Sequence, residues 1–328
     1  MKKVTVVSSA NIAFVKYWGR RDDNLILPLN SSVSMNMDSC TTTTSAEWGD
    51  FPEDSVKVKY QNKDSVELSG VPREKVIKIV ERIRQRLGIS KKVKIESENN
   101  FPEATGIASS ASGFSALTTV LYEAAGETLP EKELSVETRL SGSGSACRSI
   151  PDGFVVWDKG AKDDGSDSFA YSIAPAHHWA LSDIVCVVDI GSKKVSSGEG
   201  HARANNVYMN ARLEGIEERV VETIEAIKHK DIEKLGRVAE IEALSLHTIC
   251  MMSEPPIFYW NDKTFLVMET IRDLRAQGVM AYYTMDAGAN VHVITEQSNE
   301  VKVQEYLKNM PGMVKMIVSH PGQGAHII

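Results

Sequence analysis

The sequence predicts an α+β fold in two halves, and three observations carry that prediction. Segments 3–7 and 32–38 alternate apolar and polar side chains, as half-buried strands do, and 41–48, 55–60 and 65–69 continue this. Residues 203–251 hold two long helical stretches. From residue 184 onward, short apolar strands recur between helices, so a second α/β unit packs on the first.

The elements follow in order. Segments 3–7, 32–38, 41–48, 55–60 and 65–69 read as strands, the last two joined by a turn at 61–64. Pro72 opens a helix whose Val76, Val80, Ile83 and Leu87 form one apolar stripe, and Gly88 supplies the stop. A strand is expected at 92–96 and a helix from about Ser109 to Ala125. In the second half a strand at 184–190 precedes helices at 203–228 and 231–251, and a third helix follows Asn261. Strands at 281–285, 291–295 and 314–319 flank a last helix around 301–310. The boundary is set at 182/183, giving domains 1–182 and 183–328.

Composition narrows the function classes. The 328 residues suffice for one large domain or two ordinary ones, with 42% hydrophobic and 25% charged residues. A net charge of −7 argues against nucleic acid as a partner. No stretch approaches the roughly 20 apolar residues of a membrane helix, and Ser8, Ser9 and Asn11 break the N-terminal apolar run, so neither a membrane span nor a signal peptide is expected. Cys40, Cys147, Cys186 and Cys250 stand far apart, as reduced, buried thiols of a cytoplasmic protein would. Neither they nor the eight histidines show zinc-ligand spacing.

Two small-residue loops suggest anion binding. Between a strand and a helix lies Phe101-Pro-Glu-Ala-Thr-Gly-Ile-Ala-Ser-Ser-Ala-Ser-Gly113. Gly106 permits a tight turn, while Ala108, Ser109 and Ser110 let a polyanion approach the free N–H groups of the helix. A small-residue helix packed on a sheet reads equally well from physics alone. The second loop, Ser141-Gly-Ser-Gly-Ser-Ala-Cys-Arg-Ser149, is poor core material and suits a multiply charged ligand. Its Arg148 can fork onto a carboxylate or phosphate. Asp286 before Gly288, taken alone, is a turn residue. Trp18 reads as packing, His247 as a hydrogen-bonded core histidine, and Cys147 as small and buried.

At this point the residues resemble a known family. Ala10-Asn-Ile-Ala-Phe-Val-Lys-Tyr-Trp-Gly-Arg-Arg-Asp22 is similar to the N-terminal signature of diphosphomevalonate decarboxylases, followed by Asn30-Ser-Ser32. Pro102-x3-Gly106-Ile-Ala-Ser-Ser-Ala111 resembles the ATP loop of the GHMP kinase superfamily, and 141–149 resembles the decarboxylase's own substrate loop. Lys193-Lys-Val-Ser-Ser197 with Gly200, Glu254-Pro-Pro256, and Asp286-Ala-Gly-Ala-Asn290 follow in the family's order.

The resemblance implies a GHMP-kinase-like fold with a ribosomal-protein-S5-domain-2-like N-terminal half and a ferredoxin-like C-terminal half. It implies a cytoplasmic homodimer and a carboxy-lyase that uses ATP and Mg2+. Such an enzyme phosphorylates the 3-hydroxyl of mevalonate 5-diphosphate, then releases phosphate and carbon dioxide to leave isopentenyl diphosphate. Asp286 and Arg148 take the catalytic positions, the latter also holding the substrate carboxylate. Asn11, Lys16, Tyr17, Arg20, Ser143 and Ser145 fall at substrate-binding positions. Gly106, Ala108, Ser109, Ser110 and Ser197 fall at nucleotide-binding ones.

Three positions depart from the pattern. Arg20 stands where the family has Lys, Glu103 adds a negative charge to the ATP loop, and Ala289 replaces Pro. They leave open an ATP-dependent decarboxylase of mevalonate 5-phosphate and an ATP-independent one of mevalonate 3,5-bisphosphate. A small-molecule kinase that stops after phosphorylation is a further alternative.

Overall fold

The structure, a computed structural model, describes residues 1–61, 63–101, 109–191, 193–308 and 310–328. Gly106, Ala108 and Glu103 lie outside the described residues, as do the side chain of Ser109 and the middle of the expected 61–64 turn.

The chain opens with β1 (Val4–Val15), a hairpin of β2 (Arg20–Asp22) and β3 (Leu27–Pro28), and the 18-residue β4 (Ser32–Gly49). The two strands expected at 32–38 and 41–48 are one. β1 pairs with β4 from Val4↔Ala46 to Val15↔Val33 and absorbs the irregularity with a register shift between Ser9 and Ala10. A bulge of that kind bends a strand without ending it. Then come β5 (Ser55–Lys59), β6 (Val66–Glu67), α1 (Gly70–Leu87), β7 (Lys92–Asn99), α2 (Ser109–Ala124) and α3 (Glu131–Arg139). α1 buries Ile79, Val80 and Ile83, each contributing about 1.5–3 kcal/mol. It ends on Gly88 at φ 63, whose N–H caps the Arg84 and Gln85 carbonyls. A 3₁₀ turn at Gly144–Ser149, then β8 (Phe154–Trp157) and β9 (Ala170–Ala174), close the first half.

The second half runs β10 (Leu181–Val187), α4 (Ser197–Ala202), α5 (Val207–His229), α6 (Ile232–Met251), α7 (Asp262–Ala276), β11 (Ala281–Thr284), β12 (Val291–Glu296), α8 (Glu300–Lys308), β13 (Lys315–Ser319) and β14 (His326–Ile327). Its sheet has the order β11-β12-β10-β13, with every neighbouring pair antiparallel. The alternation of strands and helices therefore builds an antiparallel, ferredoxin-like sheet and not a parallel one. β14 leaves this half and pairs with β1, Val6 against Ile327, so the chain's last residues lie on the first sheet.

α6 positions the site. It packs on β11 in the second sheet and on β1 in the first. Gly236 makes this possible, since a Cβ there would overlap the Tyr282 ring. The ends of β1 and β11 are thereby brought to one place. α2 covers β1 and β4 and meets the 3₁₀ turn from the other side.

Candidate active site

A cavity of about 710 Å³ opens where β1, α2, the 141–149 loop and the β11–β12 loop converge. Lys16, Tyr17, Arg20, Ser143, Ser145 and Arg148 all border it. So do Ser110, Ser197 and Asp286, from three other elements. Residues 270 positions apart in sequence meet here: Lys16 Nζ donates to Asp286 Oδ1 at 2.8 Å, and also to the Ala13 carbonyl at 2.6 Å.

Lys16 sits just past the end of β1 and is held from both sides. Its N–H donates to Glu242 on α6, while its carbonyl accepts from Arg212 on α5 and from Asn30. Glu242 is fully buried and also takes Arg219, so a charge network anchors the backbone that aims the ammonium. Burial pulls the Lys16 ammonium below its usual pKa, with Asp286 and Glu242 working against that pull. For Asp286, burial works to raise the carboxyl, but Lys16, with His292 and Arg148 beyond, holds it below the usual carboxylate range. The Asp286 side chain keeps 26% exposure, so the anion faces the cavity.

The loop carrying Asp286 is fixed by its main chain. The Asp286 carbonyl accepts from Gly288 N–H at 2.7 Å and from His247 Nε2 at 3.1 Å. His247 stacks on Trp260, and burial pushes its pKa down to about 3, so the ring is neutral. It is a hydrogen-bonded core histidine, as expected. Asn290 ties the loop's far end to β10 through Val188 and Asp189, and Ala289 offers its carbonyl to Thr264.

Arg148 is 3% exposed, and among the described residues no carboxylate hydrogen-bonds or ion-pairs with it, Asp286 acting on it only through space. Its guanidinium donates to Ser32 Oγ at 2.8 Å and to Asn11 Oδ1 at 3.0 and 3.3 Å, all neutral acceptors. A buried charge without a hydrogen-bonded counterion is costly, and Arg148 borders the cavity. Asn11 stands behind it and does not border the cavity; its amide donates to Ser145 O and Ser149 Oγ. Cys147 is buried, its thiol pushed up to about 12 by burial, which leaves it inert at neutral pH.

Hydroxyls link the two loops. Ser110 at the start of α2 lies 3.2 Å from Ser143, which lies 3.2 Å from Ser145. At one end of the cavity Arg20 Nε donates to Tyr17 OH at 2.7 Å, leaving the phenol proton free to donate onward. Burial raises the Tyr17 pKa, so that proton stays in place.

Sequence reasoning missed other lining groups. Lys75, Lys78 and Arg82 occupy one flank of α1 at spacings of three and four, beside the apolar stripe that identified the helix. That basic stripe was legible. Lys193, its ammonium lowered by burial, also borders the cavity, as does His201. Among the described residues, Lys75, Lys78, Arg82 and Lys193 with Lys16, Arg20 and Arg148 make seven cations around one carboxylate, Asp286. A second cavity of about 230 Å³, lined by apolar Val56, Val58, Ile95 and Leu117, shares Ser110 and Phe114 with the first.

Comparison with known proteins agrees with this geometry. Residues 8–170 match a diphosphomevalonate decarboxylase-like N-terminal domain, and residues 183–323 a mevalonate 5-diphosphate decarboxylase C-terminal domain. The diphosphomevalonate decarboxylase of Candida albicans is 36% identical over 94% of this chain and 88% of its own. The chain belongs to the diphosphomevalonate decarboxylase family.

The human diphosphomevalonate decarboxylase is 33% identical over 89% of this chain and 76% of its own. Among solved structures, mevalonate diphosphate decarboxylase from Staphylococcus aureus superposes with a TM-score of 0.90 at 33% identity, covering 100% of this chain and 98% of that one. A structure of MDDEF in complex with MVAPP, AMPPCP and magnesium gives 0.90 at 33% identity over 99% and 98%. The fold is thus the GHMP-kinase type the motifs implied. Against the family pattern, Arg20 keeps its cation on the cavity wall, and the Ala289 position holds its loop through Thr264 without a proline.

Proposed function

We propose that this protein decarboxylates mevalonate 5-diphosphate to isopentenyl diphosphate with consumption of ATP in the presence of Mg2+. The observation that carries the reading is Arg148: a buried guanidinium whose hydrogen-bond partners among the described residues are all neutral, facing a cavity whose one carboxylate among those residues is already paired with Lys16. The substrate's C1 carboxylate is the missing counterion. The names of the relatives support the same substrate.

The cationic wall suits a nucleotide triphosphate and a phosphorylated substrate together. Lys75, Lys78 and Lys193 would meet the nucleotide phosphates near Ser110, and the adjoining apolar cavity suits a flat base. Among the described residues no group of three His, Cys, Asp or Glu could hold a metal, so phosphate oxygens would supply most of the Mg2+ coordination. There Mg2+ would supply neutralisation of the phosphate charge.

The 3-hydroxyl oxygen attacks the terminal phosphorus as the bridging P–O bond breaks, its electron pair leaving with ADP, and the hydroxyl proton passes to an oxygen of the transferred phosphoryl group. A tertiary alcohol is a hindered nucleophile, so alignment matters more than base strength. Asp286, held ionised by Lys16, is a weak base, and it acts by orienting the hydroxyl. Next, the C3–O bond breaks, its electrons leaving with phosphate. The C1–C2 electron pair then forms the new double bond as carbon dioxide departs. Positive character building at C3 is stabilised by the Asp286 carboxylate, while Arg148 holds the carboxylate in the plane for cleavage.

With this reading go a cytoplasmic location and a homodimer; the four buried free cysteines suit a reducing compartment. Among the described residues no helix is long and apolar enough to cross a membrane.

The test is carbon dioxide release from mevalonate 5-diphosphate, 5-phosphate and 3,5-bisphosphate, each with and without Mg-ATP. Turnover of the diphosphate only with ATP is the expected result. Asp286→Asn should lower kcat about 10²–10⁴-fold while leaving substrate affinity within a few-fold. Full activity of that variant, or turnover of the bisphosphate without ATP, would overturn the mechanism.

A further inference from the structure

His201 lies on α4 directly after Gly200, was given no role above, and stands in a setting that fixes its chemistry. Its ring is sandwiched between Tyr17 at 4.3 Å and Trp18 at 4.4 Å, both tilted by about 30° (33° and 32°). The Gly19 N–H donates to its Nδ1 at 3.1 Å. An imidazole nitrogen that accepts a hydrogen bond carries no proton, so in the neutral ring the proton sits on Nε2. The Gly19 contact is the one hydrogen bond of the ring among the described residues, which leaves Nε2 without a protein partner there, and the ring borders the cavity. Around it stand Tyr17, whose phenol proton is free, and Arg20, whose guanidinium bonds that phenol oxygen.

We propose that His201 is a specificity-determining residue that presents a neutral Nε2–H to the 5-phosphoryl end of the substrate, alongside the Tyr17 hydroxyl and the Arg20 guanidinium. The inference rests on the function proposed above and adds the group that reads that end of the molecule. Burial, with Arg20 and Arg148 close by, pushes the His201 pKa down to about 3, so the ring donates without adding charge at any physiological pH. Three donors of different kinds then share one anion. Arg20 supplies charge, and Tyr17 and His201 supply direction. The stack on Tyr17 and Trp18 also means that His201 orders the Tyr17 ring it lies against.

Two variants separate donation from packing. His201→Gln keeps an N–H donor, and His201→Phe keeps a flat ring without one. Calorimetric titration with mevalonate 5-diphosphate, inorganic pyrophosphate and free mevalonate reads the contact directly. His201→Phe should weaken the two phosphorylated ligands about 10- to 100-fold, as loss of one hydrogen bond to a charged acceptor does. It should leave free mevalonate unchanged, raise KM, and keep kcat within about threefold. His201→Gln should recover most of the affinity. Nitrogen chemical shifts of the wild-type ring should place the proton on Nε2 from pH 5 to 8. Wild-type pyrophosphate affinity in His201→Phe would overturn the inference, as would equal weakening of free mevalonate, which marks a purely structural role. If the wild-type protein binds none of the phosphorylated ligands, the proposed function fails first, and the variants then show no difference.

Discussion

Replacing Arg148 by Met separates function from folding. In the structure the guanidinium makes three hydrogen bonds, to Ser32 and twice to Asn11, all to neutral oxygens, at 3% exposure. An ordinary buried ion pair loses about 3–5 kcal/mol when one partner is removed, because the other charge is stranded. Here no charge is stranded. The variant sheds a desolvation cost of several kcal/mol and loses three bonds worth about 1.5–3 kcal/mol each. Cavity water can satisfy part of what Ser32 and Asn11 give up. The terms nearly cancel, so stability should change by no more than about 2 kcal/mol in either direction. For 328 residues at about 2.1 cal/mol/K per residue, 1 kcal/mol moves Tm by about 1–2 °C. The melting temperature should therefore stay within about 3 °C of wild type. Activity behaves otherwise. Losing two charge-assisted bonds to the substrate carboxylate, about 3–6 kcal/mol, lowers kcat/KM by about 10²–10⁴-fold. Circular-dichroism melting and carbon dioxide release test the two halves. A Tm drop beyond about 5 °C with activity largely kept would make Arg148 a structural residue and refute the reasoning.

Two further outcomes concern the scaffold. His247 has a folded pKa of about 3 against about 6.5 unfolded, so between those values the unfolded chain binds the proton and stability falls as pH falls. From pH 7.5 to 4.5 this contributes a loss of about 2.7 kcal/mol, and His247→Gln should flatten that part of the profile in urea titrations at pH 7.5 and 4.5. An unchanged profile would mean the ring does not stay neutral. Gly236→Ala gains about 1 kcal/mol of helix propensity, yet its Cβ would overlap the Tyr282 ring. Overpacking of about 1–3 kcal/mol should win, and a higher denaturation midpoint would show that α6 and β11 can separate freely.

What the sequence made legible was local periodicity and fixed motif order. The α1 stripe, Gly88, and the long α5 and α6 helices needed only neighbours within a turn or two. α3 escaped because its buried face is polar: Ser135, Glu137, Thr138 and Arg139. Glu137 earns its burial from Arg82, Arg86 and Tyr122, partners 15 to 55 residues away in sequence. β8 escaped because all four of its residues, Phe154 to Trp157, are buried, a run too short to tell strand from helix. The fused β4 escaped because a bulge is a property of the pairing with β1 and leaves no mark in either strand alone. The site shows the same division. Motifs brought Asp286, Arg148 and Lys16 forward, but the seat of Asn11 behind Arg148 and the value of His201 depend on tertiary contacts, His201 meeting Gly19 across 182 residues.

The charges in the cavity tie this division to function. A fold seeking stability alone would pair Arg148 with a carboxylate, as buried Glu242 pairs Arg212 and Arg219. Lys16 shows the intermediate case, with Asp286 as a partner that still faces the cavity. The unpaired cations are destabilising until an anion arrives, so ligand binding and folding are linked. A ligand at 100 times its Kd adds about 2.7 kcal/mol to stability, and here that gain comes from supplying counterions the chain omits. Pairing the buried cations within the protein would make a sturdier molecule and an inert one. The asymmetry between the compensated Glu242 network, which holds the Lys16 backbone, and Arg148, which has no ion pair among the described residues, separates the groups that hold the site from those left free to bind.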